Sequence, residues 1–142
     1  PRLHFPDELL IARMVELAPN LALHCGDTTY HATVGGFLRF FFIPFEPALK
    51  RFPVFVAPGN HDSGWPGVYG ISFDNFRRLF PHEYGGAEGG YYSFVHQHVK
   101  FIALSYTTLG FGKSSKQYRW LARELESSTS EFNIVFLALR PV

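Results

Sequence analysis

The chain has 142 residues, a formal net charge of +1, and 46% hydrophobic against 18% charged residues, enough for one globular domain but not comfortably for two. No block of Lys or Arg stands out, which leaves no electrostatic footprint for nucleic acid and no polybasic patch for a membrane surface, and no run approaches the ~18 apolar residues of a membrane span. The 16 Phe predict that much of the buried area is aromatic.

Along the chain, Asp7 is a plausible N-cap for a helix over 8–17, ELLIARMVEL, with Leu9, Leu10, Met14 and Leu17 at helical spacing. Pro19 and Asn20 stop it. LALHC over 21–25 reads as a short buried strand, followed by the polar loop GDTTYHATVGG. FLRFFFIPFEPALKRF predicts two short helical pieces broken at Pro44, since proline cannot donate to the helix ladder. PVFVAPG is a second buried strand and NHDSGWPGVYG the loop after it. SFDNFRRLF predicts a short helix with Ser72 or Asp74 near its start. GGYYSFVHQHVKFIALSY reads as a hairpin turning near Gln97. SSKQYRWLARELESS is a helix capped by Ser114 or Ser115, with Tyr118, Leu121 and Leu125 on one face, and FNIVFLAL is the last strand. No internal repeat or linker interrupts this order, so residues 1–142 form a single α/β unit.

Cys25 is the only cysteine, so no internal disulfide is possible. PRLHFPDELL has neither an initiator Met nor a charged segment leading into an apolar one, so no signal peptide is read there. The Pro-Arg start and the FLALRPV end read as cut ends, and the chain is expected to be a piece of a longer protein.

Two strands end alike. LALHC runs into Gly26-Asp27-Thr28-Thr29-Tyr30, and PVFVAPG runs into Asn60-His61-Asp62. Ligands of open α/β sheets sit outside the carboxyl ends of the strands, so both loops are expected to face one crevice. A glycine precedes the first polar residue of each (Gly26, Gly59), which lets backbone approach a bound ion or phosphate closely. The loops offer a carboxylate, a phenol, an amide oxygen and an imidazole, donors suited to Zn, Mn or Fe. Gly26-Asp27 alone is a common turn signal; its pairing with GNHD directly after an apolar strand is what points to a site.

These pieces resemble the calcineurin-like metallophosphoesterases, and within them the purple-acid-phosphatase-like branch. GDTTY resembles that branch's Gly-Asp-x-x-Tyr and GNHD the Gly-Asn-His-Asp/Glu signature, with supporting similarity in YYSF, FIALSY, QYRWLARELE and NIVFLALRPV. The resemblance implies part of a β-sandwich flanked by helices, in αββα layers, truncated at both ends. It also implies hydrolysis of phosphate mono- or diesters at a dinuclear site (Fe with Zn, Mn or Fe), attacked by a metal-bound hydroxide with no covalent intermediate. Asp27 would bridge the two metals, Tyr30 would ligate the iron or stand near it, and Asn60 would ligate the second metal. His61 would contact the phosphate or protonate the leaving group. His31, on the loop after Tyr30, and Asp62, beside His61, are further candidates for substrate contact.

The match has gaps. The first motif's aspartate would fall just before Pro1, or else Arg2-Leu3-His4 stands on an Asp-x-His motif with Arg in place of Asp. The last motif, Gly-His-x-His, would lie beyond Val142. Leu139 stands where a metal-binding histidine is expected, just before Arg140-Pro141. A leucine cannot ligate a metal, so the alternative reading is a catalytically inactive structural or interaction module. Among the other candidates, His96 and His98 are expected to flank the hairpin turn, exposed, although two positions apart on a strand they would share a face. His24 is expected to be a hydrogen-bonded core residue and Cys25 a buried thiol. Trp65, Tyr69 and Trp120 are read as packing, with Trp65 a possible wall of the cleft. His4 and His82 have no evident partner.

Overall fold

The computed structural model describes residues 8–64, 72–86, 89–105 and 112–138. Leu139, Trp65, Tyr69, Arg2 and His4 lie outside them. Helix α1 (Glu8–Leu17) leads into strand β1 (Ala22–His24). After the first polar loop come α2 (Val34–Phe37), a π-helical turn (Leu38–Phe42), α3 (Ile43–Leu49) and β2 (Val54–Val56). A 3₁₀ turn (His61–Ser63), α4 (Asp74–Leu79), the hairpin β3 (Tyr92–His96) and β4 (Val99–Leu104), α5 (Lys116–Glu126) and β5 (Phe132–Leu137) complete the order.

The described strands form two sheets. β1 and β2 pair in parallel, Leu23 opposite Phe55 and His24 opposite Val56. In the second sheet β3 is antiparallel to β4, and β4 is parallel to β5. Side chains alternate across a strand, and this alternation builds the layers. Ala22, Val54 and Val56 face a cluster with Ile11, Phe41, Phe45 and Phe76 from the helices. Leu23 and Phe55 face the other way, against Tyr92, Phe101 and Phe136 of the second sheet. On that sheet's outer face Ile102 and Leu104 pack on Trp120 of α5. The result is helix, sheet, sheet, helix, the αββα layering that the resemblance implies.

Aromatic rings make up most of the first cluster: Phe41 stacks on Phe45 at 4.9 Å, and Phe76 lies 4.7 Å from Phe80. Between the sheets, Phe55 stacks on Phe94 at 3.7 Å and Tyr92 on His82 at 3.9 Å. His82 thus has a ring partner. The Tyr92 hydroxyl donates to Val56 O at 3.0 Å, and burial, with Tyr84 adding to it, holds this phenol protonated far above the ordinary range. On the outside, Lys100 pairs with Glu124 at 2.8 Å, and Ser93 Oγ donates to the same carboxylate at 2.6 Å. That contact fixes α5 on the hairpin.

Three helical expectations are corrected. Pro44 does not break the chain: helical backbone continues through it, with proline in the first turn of α3 directly after a π-helical turn. The preceding π turn absorbs the change of register, with Ile43 N–H donating to Leu38 O. On α1, Leu9, Leu10 and Leu17 are exposed and Ile11 is buried. On α5 the buried residues are Gln117 and Trp120, whereas Tyr118 and Leu125 are exposed. One residue of each expected face does pack half-buried on the core, Met14 on α1 and Leu121 on α5, beside these buried positions. Ser115 caps α5, its oxygen accepting from Tyr118 N–H at 3.1 Å, and Gln97 occupies the hairpin turn at φ 56°. His96 and His98 flank that turn, exposed.

The inter-sheet hydroxyl bond is testable by itself. Tyr92→Phe keeps the ring and removes one buried hydrogen bond, and is expected to lower the free energy of unfolding in urea by about 1 kcal/mol. An unchanged unfolding curve would show that this bond contributes nothing to holding the sheets together.

Candidate functional site

Parallel pairing puts the carboxyl ends of β1 and β2 side by side, and Ala57 N–H continues the ladder to His24 O at 2.9 Å. Both polar loops therefore start from one edge. Gly26 turns the first loop at φ +83°, and a Cβ there would lie 2.6 Å from Ala138 Cβ and 2.7 Å from Ala57 O. Only glycine fits that position. Gly59 opens the second loop, and a Cβ on it would lie 2.2 Å from Asp27 Oδ1. The space beside Gly59 is filled by the Asp27 carboxylate.

The loops hold each other reciprocally. His61 N–H donates to Asp27 Oδ1 at 3.2 Å. In the opposite direction Asp62 accepts from the first loop: Asp27 N–H reaches Oδ2 at 2.8 Å, and Thr28 reaches Oδ1 through its N–H at 2.9 Å and its hydroxyl at 2.6 Å. Gly59 N–H, from the second loop itself, also reaches Oδ2 at 2.8 Å. Asp27 sits at φ 54°, in the left-handed region that few non-glycine residues enter. The edge of the Tyr30 ring lies against His61, centroids 5.8 Å apart, and against Phe40 at 5.4 Å.

Asp27, Tyr30 and His61 line one cavity of about 520 Å³, whose other walls include Leu10, Met14, Phe40 and Phe45. Asn60 lies between Gly59 and His61, half-buried, and its carbonyl accepts from Ser63 Oγ at 2.9 Å. His31 is exposed, with its N–H on Thr29 Oγ1 at 3.2 Å. Asp62, expected as a substrate contact, is 0% exposed and holds backbone instead. Cys25, expected to be buried, is exposed, because it follows the last paired residue of β1. His24 packs edge-on against Phe41 and Phe45 at 5.7 and 5.6 Å. Its Nδ1 has no hydrogen-bond partner among the described residues, so this atom departs from the expected hydrogen-bonded core histidine. Burial lowers the His24 pKa, and the Asp27 charge opposes that shift.

The residue that sequence reasoning missed is Thr28. The motif reading gives it no role, yet it is buried and supplies two of the four donors to Asp62. The available signal was a hydroxyl residue directly after a turn aspartate, a type that commonly bonds nearby polar groups.

A family model described as calcineurin-like phosphoesterase matches residues 4–138. The chain belongs to the calcineurin-like phosphoesterase family. Among solved structures, the purple acid phosphatase PPD1 from yellow lupin (Lupinus luteus) seeds matches with a TM-score of 0.71 and 20% identity. The match covers 92% of this chain and 25% of the lupin chain. That likeness shows a shared fold, and this calcineurin-like phosphoesterase chain spans about a quarter of that neighbour's length. No curated protein matches the sequence.

Among the described residues no three His, Cys, Asp or Glu side chains gather into a metal-holding group. The Asp27 carboxylate over Gly59, beside Asn60 and His61, still suits a hard cation as one side of a site: its donors are oxygen and nitrogen.

Burial pushes the Asp62 carboxyl from an ordinary 3.8 up to about 6; the Asp27 charge adds to the rise, and the bonds from Thr28, Gly59 and Asp27 oppose it. The folded state thus binds this proton more tightly than the unfolded chain. The stability it contributes is fully present below pH ~4 and is lost as pH rises through ~6. At 1.4 kcal/mol per tenfold change the swing is about 3 kcal/mol. Asp62→Asn cannot ionise, so its stability relative to the parent chain is expected to improve by about that amount between pH ~4 and ~7, in urea unfolding at constant ionic strength. Parallel pH profiles for the two proteins would contradict the shifted carboxyl.

Proposed function

We propose that this chain is part of a metal-dependent phosphoesterase of the purple-acid-phosphatase-like branch, hydrolysing phosphate mono- or diesters at a dinuclear site. The observation that carries the reading is the reciprocal lock between the GDTTY and GNHD loops, in which His61 N–H meets the Asp27 carboxylate at 3.2 Å. In this reading Asp27, Tyr30 and Asn60 hold the metals, an iron with Zn, Mn or a second Fe. When bound, such ions polarise a phosphoryl oxygen and lower the pKa of an attacking water. The chain's own residues do the rest. Asp27 presents its carboxylate from a backbone fixed on both sides, and Gly59 leaves room for it. His61, seated against the Tyr30 ring at 5.8 Å, would contact the phosphate or give a proton to the leaving oxygen. His31 is a further candidate for substrate contact from the exposed side of the loop.

Leu139, a residue unable to ligate, favours a second reading: a phosphoesterase-fold module that has lost catalysis. Metal binding separates the two. In titration calorimetry with Zn²⁺ the catalytic reading expects measurable binding, weakened at least 10–100-fold in Asp27→Asn. Because the described residues gather only part of a metal site, the 142-residue chain alone should hydrolyse an aryl phosphate far below ordinary enzyme rates of ~1–10³ per second. Zn²⁺ binding that ignores Asp27, or no binding, would leave the inactive module standing.

A further inference from the structure

We propose that Asp62 is a positioning residue that aims the Asp27 carboxylate by gripping the backbone on both sides of it. The proposal deepens the phosphoesterase reading above and rests on it. Asp62 is 0% exposed, so it does not touch a substrate itself; whatever it does, it does through its partners. One oxygen, Oδ2, takes the N–H of Asp27 and the N–H of Gly59, both at 2.8 Å. A single atom thereby sets the distance between the ends of β1 and β2. The other oxygen, Oδ1, takes both donors of Thr28, fixing the next peptide of the first loop.

Between these anchors Asp27 is held at φ 54°, a conformation that L-residues avoid without a compensating contact. Its side chain is then directed over Gly59 Cα and onto His61 N–H. A buried carboxylate is a costly way to fill space, since well-packed apolar groups often serve stability as well or better. What an apolar residue cannot do is accept four hydrogen bonds from two loops and fix their register. Asp62 therefore serves alignment.

The test uses Mn²⁺ as probe on the 142-residue chain, reading affinity by calorimetry and the surroundings of the ion by electron paramagnetic resonance. Asp62→Asn is expected to stay folded, to bind Mn²⁺ roughly 10–100-fold more weakly, and to change the Mn²⁺ spectrum. Asp27→Asn should lose at least as much. The double variant should bind no more weakly than Asp27→Asn alone, because the effect of Asp62 passes through Asp27.

An Asp62→Asn protein with unchanged affinity and spectrum, or a double variant whose losses add, overturns the positioning role while leaving Asp27 as a ligand. Equal Mn²⁺ binding in the parent chain and Asp27→Asn, or none in either, removes the ligand reading and the proposal with it. Should Asp62→Asn fail to fold, Thr28→Val removes only the hydroxyl donor. It is expected to weaken binding by a smaller factor with the same kind of spectral change, and parent-like behaviour there also overturns the proposal.

Discussion

The Asp62 carboxylate accepts N–H groups from Asp27, Thr28 and Gly59 and the Thr28 hydroxyl, and the geometry of the candidate site follows from that arrangement. The two loops leave adjacent parallel strands, so their backbones begin close together whatever their sequence. Adjacency alone would leave both free to fan outward into solvent. A buried anion with four donors removes that freedom, because releasing any one donor without replacement costs about 1–3 kcal/mol. The carboxyl is pushed up to about 6 by burial, so part of the stability is spent on holding a charge out of water. The return is a carboxylate at Asp27 whose position is set by backbone on both flanks.

Behind the loops, the layered packing gives the site a rigid base. Alternate residues of β2 serve different layers, Val54 and Val56 the helix-facing cluster and Phe55 the inter-sheet one. A shift of register by one residue would exchange those faces, carrying Gly59 away from Asp27. Tyr92 pins β2 from the other sheet through Val56 O, and Asn75 Nδ2 donates to Ala32 O at 2.8 Å, tying α4 to the far end of the first loop. The site is thus supported from the second sheet and from α4 as well as by its own hydrogen bonds.

Much of this was legible in the sequence, for physical reasons. Short apolar runs ending in glycine marked β1 and β2, and Gly26 and Gly59 stand where a Cβ would collide with backbone or with Asp27. The hairpin and the Ser115 cap follow from local chemistry and were found. What was not legible depends on tertiary partners. Of the faces read on α1 and α5, Met14 and Leu121 pack half-buried, but the neighbouring layers fully bury Ile11 on one helix and Gln117 with Trp120 on the other. Pro44 signals a break only if the helix does not begin its next segment there. Asp62 looked like a group facing outward beside His61, because nothing local reveals that the opposing loop aims its donors at it across |i−j| of 34 and 35. The roles assigned to Asp27, Tyr30, Asn60, His61 and His31 come from resemblance; the fold supplies the proximity of Asp27, Tyr30 and His61 around one cavity.

The most direct measurement of the central claim is amide hydrogen exchange at Asp27, Thr28 and Gly59. Asp27 itself is exposed, so an untied loop would exchange its amide quickly. The Asp62 tie predicts that all three amides are protected to nearly the same degree as Ala57 N–H, which continues the strand ladder to His24 O, since each opens only when the lock opens. Exchange of these amides at the rate of an unstructured loop, with Ala57 still protected, would contradict it.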